Sequence, residues 1–193
     1  MQKIDVNYIT AETMKKTTIP ILLSLLLLNC TKNEKTFDSL EYSYGGTFSE
    51  LYSLKFTDND TVYIYQEWIV KDFGDSISDP KSKTQYYGII NPEEKLKLYN
   101  YIEKVNLFKY KSEYYENYLD GSCYAIAIKK DTKSKTIFAH SHETPKEIDS
   151  IARWINKIKK NLILKETKKH LIYKTSESVF PPPPPPLIQK NNN

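Results

Sequence analysis

Four stretches in the first half of the chain alternate between polar and apolar or aromatic side chains, with the period of two that is typical of β-strands. They cover residues 40–44, 51–56, 61–68 and 84–90. Gly45-Gly46 follows the first stretch and Asp58-Asn59-Asp60 separates the second from the third, so both are predicted turns. The pattern therefore predicts a hairpin over residues 51–68 and a further strand after a loop at residues 72–83.

Two later stretches have apolar residues at the spacing of an amphipathic helix. The first opens with Asn91 as a capping residue and Pro92 at the first helical position. The second opens with Thr144 and Glu147, which match a capping box. The apolar stripes of the two helices are Leu98, Tyr101, Ile102 and Val105 in the first, and Ile148, Ile151, Ala152, Ile155 and Ile158 in the second.

Between the two helices, residues 122–129 and 135–140 predict a second hairpin across a turn at residues 131–134. The order of strands, helix, hairpin and helix predicts an α+β domain over residues 38–175. We expect an antiparallel sheet of about five or six strands with two helices packed on one face. Residues 176–193 contain six consecutive prolines and are predicted to be a proline-rich disordered tail.

The front of the chain has the organisation of a secretion signal. Met14-Lys15-Lys16 precedes an apolar run over residues 19–28, which is shorter than the ~20 residues that a membrane-spanning helix needs. Residues 14–29 are therefore predicted to be a signal peptide. Residues 1–13 lack a basic cluster, so Met14 is the expected start and residues 1–13 an upstream leader, whereas residues 30–37 form a polar tether.

The junction Leu27-Leu28-Asn29-Cys30 resembles the lipobox of bacterial lipoproteins, although Asn29 departs from the usual Gly, Ala or Ser. The resemblance implies that Cys30 carries fatty acid and that the protein binds the membrane through this N-terminal lipid. The residues after Cys30 lack the Asp that favours inner-membrane retention in enterobacterial lipoproteins. By the same resemblance, we expect an outer-membrane anchor in the bacterial envelope, with the domain facing the periplasm.

Charge places further limits on the partners. The 193 residues contain 28 Lys and Arg against 24 Asp and Glu, a net charge of +4 that is too small to predict a nucleic-acid binder. Arg153 is the only arginine. Residues 34–80 carry a net charge of −7, whereas residues 153–174 have eight bases and one acid. This basic stretch predicts either a solvated surface or contact with anionic lipid phosphates.

His140, His142 and Glu143 are the candidates for metal chemistry, because residues two apart on a strand point to one face and can chelate together. The alternative is a polar link between strand and helix, since a metal site needs three or four ligands. Cys123 could be a nucleophile beside a histidine, or an inert buried thiol on a strand of small residues. No phosphate loop or nucleophile elbow is present, and no cofactor is expected.

Tyrosine is abundant, with 16 in the chain, and Tyr114, Tyr115 and Tyr118 lie close together after the first helix. Amphipathic rings in one place could form a platform for glycan or peptide. The alternative is a compositional bias, because Lys, Asn and Ile are plentiful as well.

Residues 42–158 resemble an uncharacterised family of bacterial envelope domains, often found as lipoproteins. The resemblance rests on Gly45-Gly46 before the strand at residues 52–56, the turn at residues 58–60, Phe108 after the first helix, and the capped closing helix. It implies no activity. The expected function is therefore binding, with an envelope protein or a glycan as partner, and a metal-dependent hydrolase using His140, His142 and Glu143 is the alternative.

Overall fold

A computed structural model describes residues 37–68, 80–118 and 120–180. Its strands are β1 (Ser39–Gly46), β2 (Leu51–Phe56), β3 (Thr61–Trp68), β4 (Thr84–Ile89), β5 (Glu113–Tyr115), β6 (Ser122–Lys130), β7 (Lys133–His140) and β8 (Lys165–Glu166). Its helices are α1 (Pro92–Val105), α2 (Lys146–Asn161) and the short α3 (Ser176–Val179), with a 3-10 turn at Leu107–Lys109.

The strands described form one sheet in the order β5-β7-β6-β1-β2-β3-β4-β8. Every neighbouring pair is antiparallel except β5 and β7, which run parallel with Tyr114 opposite Ala139. The α+β class is confirmed. The expectation of an antiparallel sheet of five or six strands is wrong, because two very short strands, β5 and β8, extend the sheet at its edges and one of them makes it mixed.

The first face of the sheet packs on α1 and α2. One row across it consists of Ile137, Ile126, Tyr42, Leu54, Ile64 and Tyr86, all of which are buried. These side chains form one core cluster with the apolar stripes of both helices. The period of 3.6 on the helices and the period of two on the strands thus meet at a common interface. The predicted stripe of α2 is buried at all five positions.

The second face of the sheet is covered by the C-terminal segment, residues 165–180. Beneath it lies a polar row that includes Ser43, Ser53 and Gln85. Thr175 Oγ1 lies 2.7 Å from Ser43 Oγ, and the Tyr173 hydroxyl donates to Gln85 Oε1 over 3.1 Å. Buried polar groups need such partners. The segment therefore both shields this face from water and supplies hydrogen bonds to its polar side chains.

The described fold continues beyond the predicted boundary after Thr175. Val179 in α3 is 8% exposed, and an added Cβ at Gly45 would lie 3.1 Å from its Cγ1. Glycine at residue 45 therefore lets the C-terminal segment approach β1 closely. Residues 181–193, with the prolines, lie outside the described residues.

The two predicted helix caps have different outcomes. Asn91 Oδ1 accepts from the backbone N–H groups of Glu93 and Glu94, as expected. The predicted capping box of α2 does not form, because Pro145 occupies the N-cap position and Thr144 instead donates its hydroxyl to Ser141 O over 3.0 Å. Thr144 therefore stabilises the turn between β7 and α2 rather than the first turn of the helix.

Candidate functional site

The two candidate metal ligands His140 and His142 meet at one aromatic ring. The Tyr118 ring stacks on His140 with centroids 4.1 Å apart and on His142 with centroids 5.0 Å apart. Tyr118 precedes β6 in a loop, whereas His140 ends β7 and His142 follows it. Both candidate histidines therefore contact the Tyr118 ring.

Both ring nitrogens of His140 face backbone oxygens. Nδ1 lies 3.3 Å from Ser122 O and Nε2 lies 3.2 Å from Tyr118 O. A carbonyl oxygen only accepts, so each nitrogen can bond there only by carrying a proton. Binding a metal through His140 would require one of these contacts to break, because a metal takes the lone pair of a neutral imidazole.

Acidic residues near the histidines do not complete a metal site. Glu116 Oε2 accepts from the backbone N–H of His142 over 3.0 Å, which is the main cause that lowers the pKa of this carboxyl. Glu143 is exposed, and its backbone N–H donates to Ser141 Oγ over 2.9 Å. Among the described residues, there is no group of three or more His, Cys, Asp and Glu side chains that could hold a metal ion.

The three candidate tyrosines do not share one face. Tyr114 packs partly buried against the core, and Tyr115, its neighbour on β5, is 58% exposed. Alternation along a strand explains this separation. Tyr115 and Tyr118 both lie beside the His140 ring, at centroid distances of 5.7 and 4.1 Å. The predicted platform of Tyr114, Tyr115 and Tyr118 is therefore divided, with Tyr118 facing a cleft.

This aromatic cleft has a volume of about 500 Å³ and lies between α2 and the adjacent ends of the strands. It is lined by three tyrosines, by polar and charged groups, and by small residues: Tyr44, Tyr118, Asp120, Gly121, Ser122, Tyr124, Ala139, Ser141, His142, Asp149, Ala152, Arg153 and Asn156. Its size is in the range typical of small-ligand sites.

One wall of the aromatic cleft is a polar stripe on α2. Asp149, Arg153 and Asn156 are spaced four and then three residues apart, so they share one side of the helix. No ion pair joins Asp149 to Arg153 within the described part of the chain, although that spacing would allow one. Among the residues that the structure describes, Arg153 donates only to Ser150 Oγ, over 3.3 Å. Most of its five N–H donors therefore remain available to a ligand.

The sheet supplies the opposite wall through Tyr44 and Tyr124. The Tyr124 hydroxyl donates to Asp149 Oδ1 over 2.5 Å, which fixes this carboxylate at the side of the cleft. Burial, together with the adjacent Asp149 carboxylate, raises the pKa of Tyr124 well above its usual value. Tyr124 is therefore a hydroxyl donor at every physiological pH.

A second polar cluster orients Asn156, which lines the aromatic cleft. Asn156 Oδ1 accepts from the Tyr52 hydroxyl over 2.6 Å. Tyr52 in turn carries the Lys159 ammonium 4.5 Å from its ring centroid, and Lys159 forms an ion pair with Glu50. Cation–π contact and the ion pair together compensate the buried lysine. Asn156 is thus oriented by a neighbour that is itself fixed.

Cys123 lies on the second face and is not among the lining residues of the aromatic cleft. It is half-buried, and its Sγ is 3.9 Å from Val179 O. Burial raises the pKa of this thiol, which lowers the fraction of reactive thiolate. This environment favours the interpretation of Cys123 as a structural thiol over that of a nucleophile.

Cys30, the signal peptide at residues 14–29 and the leader at residues 1–13 lie outside the described residues. No helix within the part of the chain that the structure describes is long and apolar enough to span a membrane.

Asp149, Arg153 and Asn156 are not singled out by the sequence alone. One signal points to them in retrospect: the only arginine of the chain lies four residues after an aspartate, beside the isoleucine stripe. Comparison of the chain with protein-family models, curated proteins and solved structures gave no match.

Proposed function

We propose that this protein is a lipid-anchored binding domain of the bacterial envelope and that its aromatic cleft holds a glycan. The single observation that carries the glycan site is the unpaired arrangement of Asp149 and Arg153 across from Tyr44, Tyr118 and Tyr124. The lipid anchor is the expectation drawn from Cys30 and the lipobox resemblance.

The chemistry of the aromatic cleft matches that of a sugar. Each sugar hydroxyl both donates and accepts, so it can bond the Asp149 carboxylate and the Arg153 guanidinium at once. The small side chains Ala139 and Ala152 leave space between the walls, and the tyrosine rings offer apolar surface with a polar edge. A ligand that needs mainly apolar burial would find few large aliphatic side chains there.

The fixed orientation of polar side chains in the aromatic cleft also favours ligand binding. Asp149 is held by the Tyr124 hydroxyl, and Asn156 by the Tyr52 hydroxyl, so both are oriented in advance. A site oriented in this way loses less entropy when a ligand arrives.

The test is the affinity of the full chain for soluble peptidoglycan fragments, measured by titration calorimetry. Arg153→Ala removes hydrogen bonds from a charged donor, which contribute about 1.5–3 kcal/mol each. We therefore expect the dissociation constant to rise about 10-fold to 100-fold. Asp149→Asn keeps the size of the side chain but removes its charge, and we expect a smaller rise.

Lys157→Ala is the matched control, because Lys157 is an exposed cation on the same helix that does not line the cleft. It should leave the affinity unchanged. Equal affinity in all variants would contradict the proposed site, and absence of binding by the unmodified chain would contradict the proposed ligand. Tighter binding of the fragments' peptide part alone would identify a peptide site instead.

A further inference from the structure

A second cavity, of about 630 Å³, lies on the other side of the sheet, between β3, β4 and the C-terminal segment. Its basic lining residues are Lys83, Lys168 and His170. Hydroxyl groups of Thr84, Thr167 and Ser176 also line it. We name this cavity the basic pocket. It shares no lining residue with the aromatic cleft.

The carboxylates nearest the basic pocket, Glu67 beside Tyr65 and Glu41 beside Tyr173, contact its tyrosines and do not line the pocket themselves. No Asp or Glu lines it, and neither Lys83 nor Lys168 has an ion pair within the residues that the structure describes. Glu166, the one acid of the segment 165–174, is paired with Lys81 over 2.7 Å. Lysines that have no ion-pair partner favour an anion between them, because the anion reduces their mutual repulsion.

The rim of the basic pocket is apolar at one point. Ile172 lines the pocket and is 83% exposed, an unusual position for an isoleucine between basic residues. Ile163, just before β8, is also 83% exposed. Exposed aliphatic side chains beside lysines are typical of surfaces that lie on a membrane, where the cations contact phosphates and the apolar groups enter the lipid boundary.

We infer that the basic pocket binds the phosphate of an anionic phospholipid headgroup, with Ile172 inserted among the acyl chains. Lys83 and Lys168 contact the phosphate oxygens. The Thr167 hydroxyl donates to them as well, because its oxygen accepts from the Lys169 N–H and its own proton is not used there. The inference does not depend on the glycan in the aromatic cleft. It adds a contact that would hold the second face of the sheet against the membrane surface.

The experiment compares full-length variants on vesicles of phosphatidylcholine with and without phosphatidylglycerol. Every variant carries the same N-terminus, so its contribution to vesicle binding cancels. Each lysine near an anionic membrane contributes about a fivefold gain in partitioning, so Lys83→Gln with Lys168→Gln should weaken binding to the anionic vesicles about thirtyfold. Binding to neutral vesicles should not change.

Lys111→Gln with Lys157→Gln is the matched control, because both lysines are exposed and neither lines the basic pocket. This control pair should retain its affinity for the anionic vesicles. Ile172→Asn should bind the same vesicles less tightly, because its side chain no longer enters the acyl chains. Equal losses in the pocket and control pairs would overturn the inference, since they would show diffuse attraction only. Dissolved glycerol phosphate that binds the pocket as tightly as the anionic vesicles do would also overturn the inference, in favour of a free phosphate ligand.

Discussion

A row of three buried hydroxyls ties the C-terminal segment to the sheet. Ser43 Oγ lies 2.6 Å from Ser53 Oγ and 2.7 Å from Thr175 Oγ1, and all three residues are 0% exposed. Ser43 is the central member, so the three positions are not equivalent. The structure therefore predicts different costs for removing the central hydroxyl and a terminal one.

The magnitudes follow from the number of hydroxyls that lose their partner. Thr175→Val leaves Ser43 bonded to Ser53, so it should cost about 1 kcal/mol of the free energy of unfolding, the usual net value of one hydrogen bond. Ser43→Ala leaves both Ser53 and Thr175 buried without this partner. At about 1–3 kcal/mol for each such group, we expect a cost of about 2–6 kcal/mol. The double variant should cost about 1 kcal/mol less than the sum.

Urea unfolding of the full chain measures these costs, with the fluorescence of the half-buried Trp154 as the signal and the slope m checked for constancy. Ser178→Ala, at an exposed position of the same segment, is the control and should change stability by less than about 0.5 kcal/mol. A Ser43→Ala variant as stable as this control, or strictly additive costs, would refute the buried hydroxyl row.

Three further predictions concern the lipid anchor, the Cys123 thiol and the contact between Gly121 and Tyr118. Cys30→Ser should abolish incorporation of labelled fatty acid, whereas Cys123→Ser should retain it; label on the Cys30 variant would contradict the lipoprotein assignment. Burial raises the pKa of Cys123, so in a Cys30→Ser variant its alkylation by iodoacetamide should be slower at neutral pH than that of a free cysteine. The rate should rise at higher pH as the thiolate forms. A rate equal to that of the free thiol would contradict burial. Gly121→Ala should displace Tyr118, because Gly121 has φ +154° and a Cβ there would lie 2.5 Å from Tyr118 Cε2; an unchanged ring environment in the aromatic NMR spectrum would contradict this contact.

The regular elements of the fold are predictable because their signals are local. The strands at residues 51–56 and 61–68, the Asn91 cap and the isoleucine stripe of α2 each follow from a pattern within one segment. β5 and β8 could not be predicted in this way. They contain three and two residues, too few for an alternating pattern, and they form because longer strands beside them offer unpaired backbone groups.

The packing of the C-terminal segment on the second face could not be predicted from the sequence for a different reason. Ser43 and Ser53 look like solvent-facing strand residues, and their burial depends on Thr175, more than a hundred positions later. The aromatic cleft has the same character. Its histidines and Tyr118 can be predicted as candidate site residues from their residue types. Asp149 and Arg153 can be recognised as lining residues only when α2 is placed beside the ends of the strands.

The proposed glycan site is tested most directly by mapping which residues of the protein a glycan contacts. Amide resonances of the full chain, recorded with and without soluble peptidoglycan fragments, locate that contact residue by residue. We predict shifts at the lining residues of the aromatic cleft, among them Tyr118, Tyr124, Asp149 and Arg153. The resonances of Lys168 and Ile172 in the basic pocket should not change. Shifts confined to the basic pocket, or none at saturating glycan, would contradict the proposed glycan site.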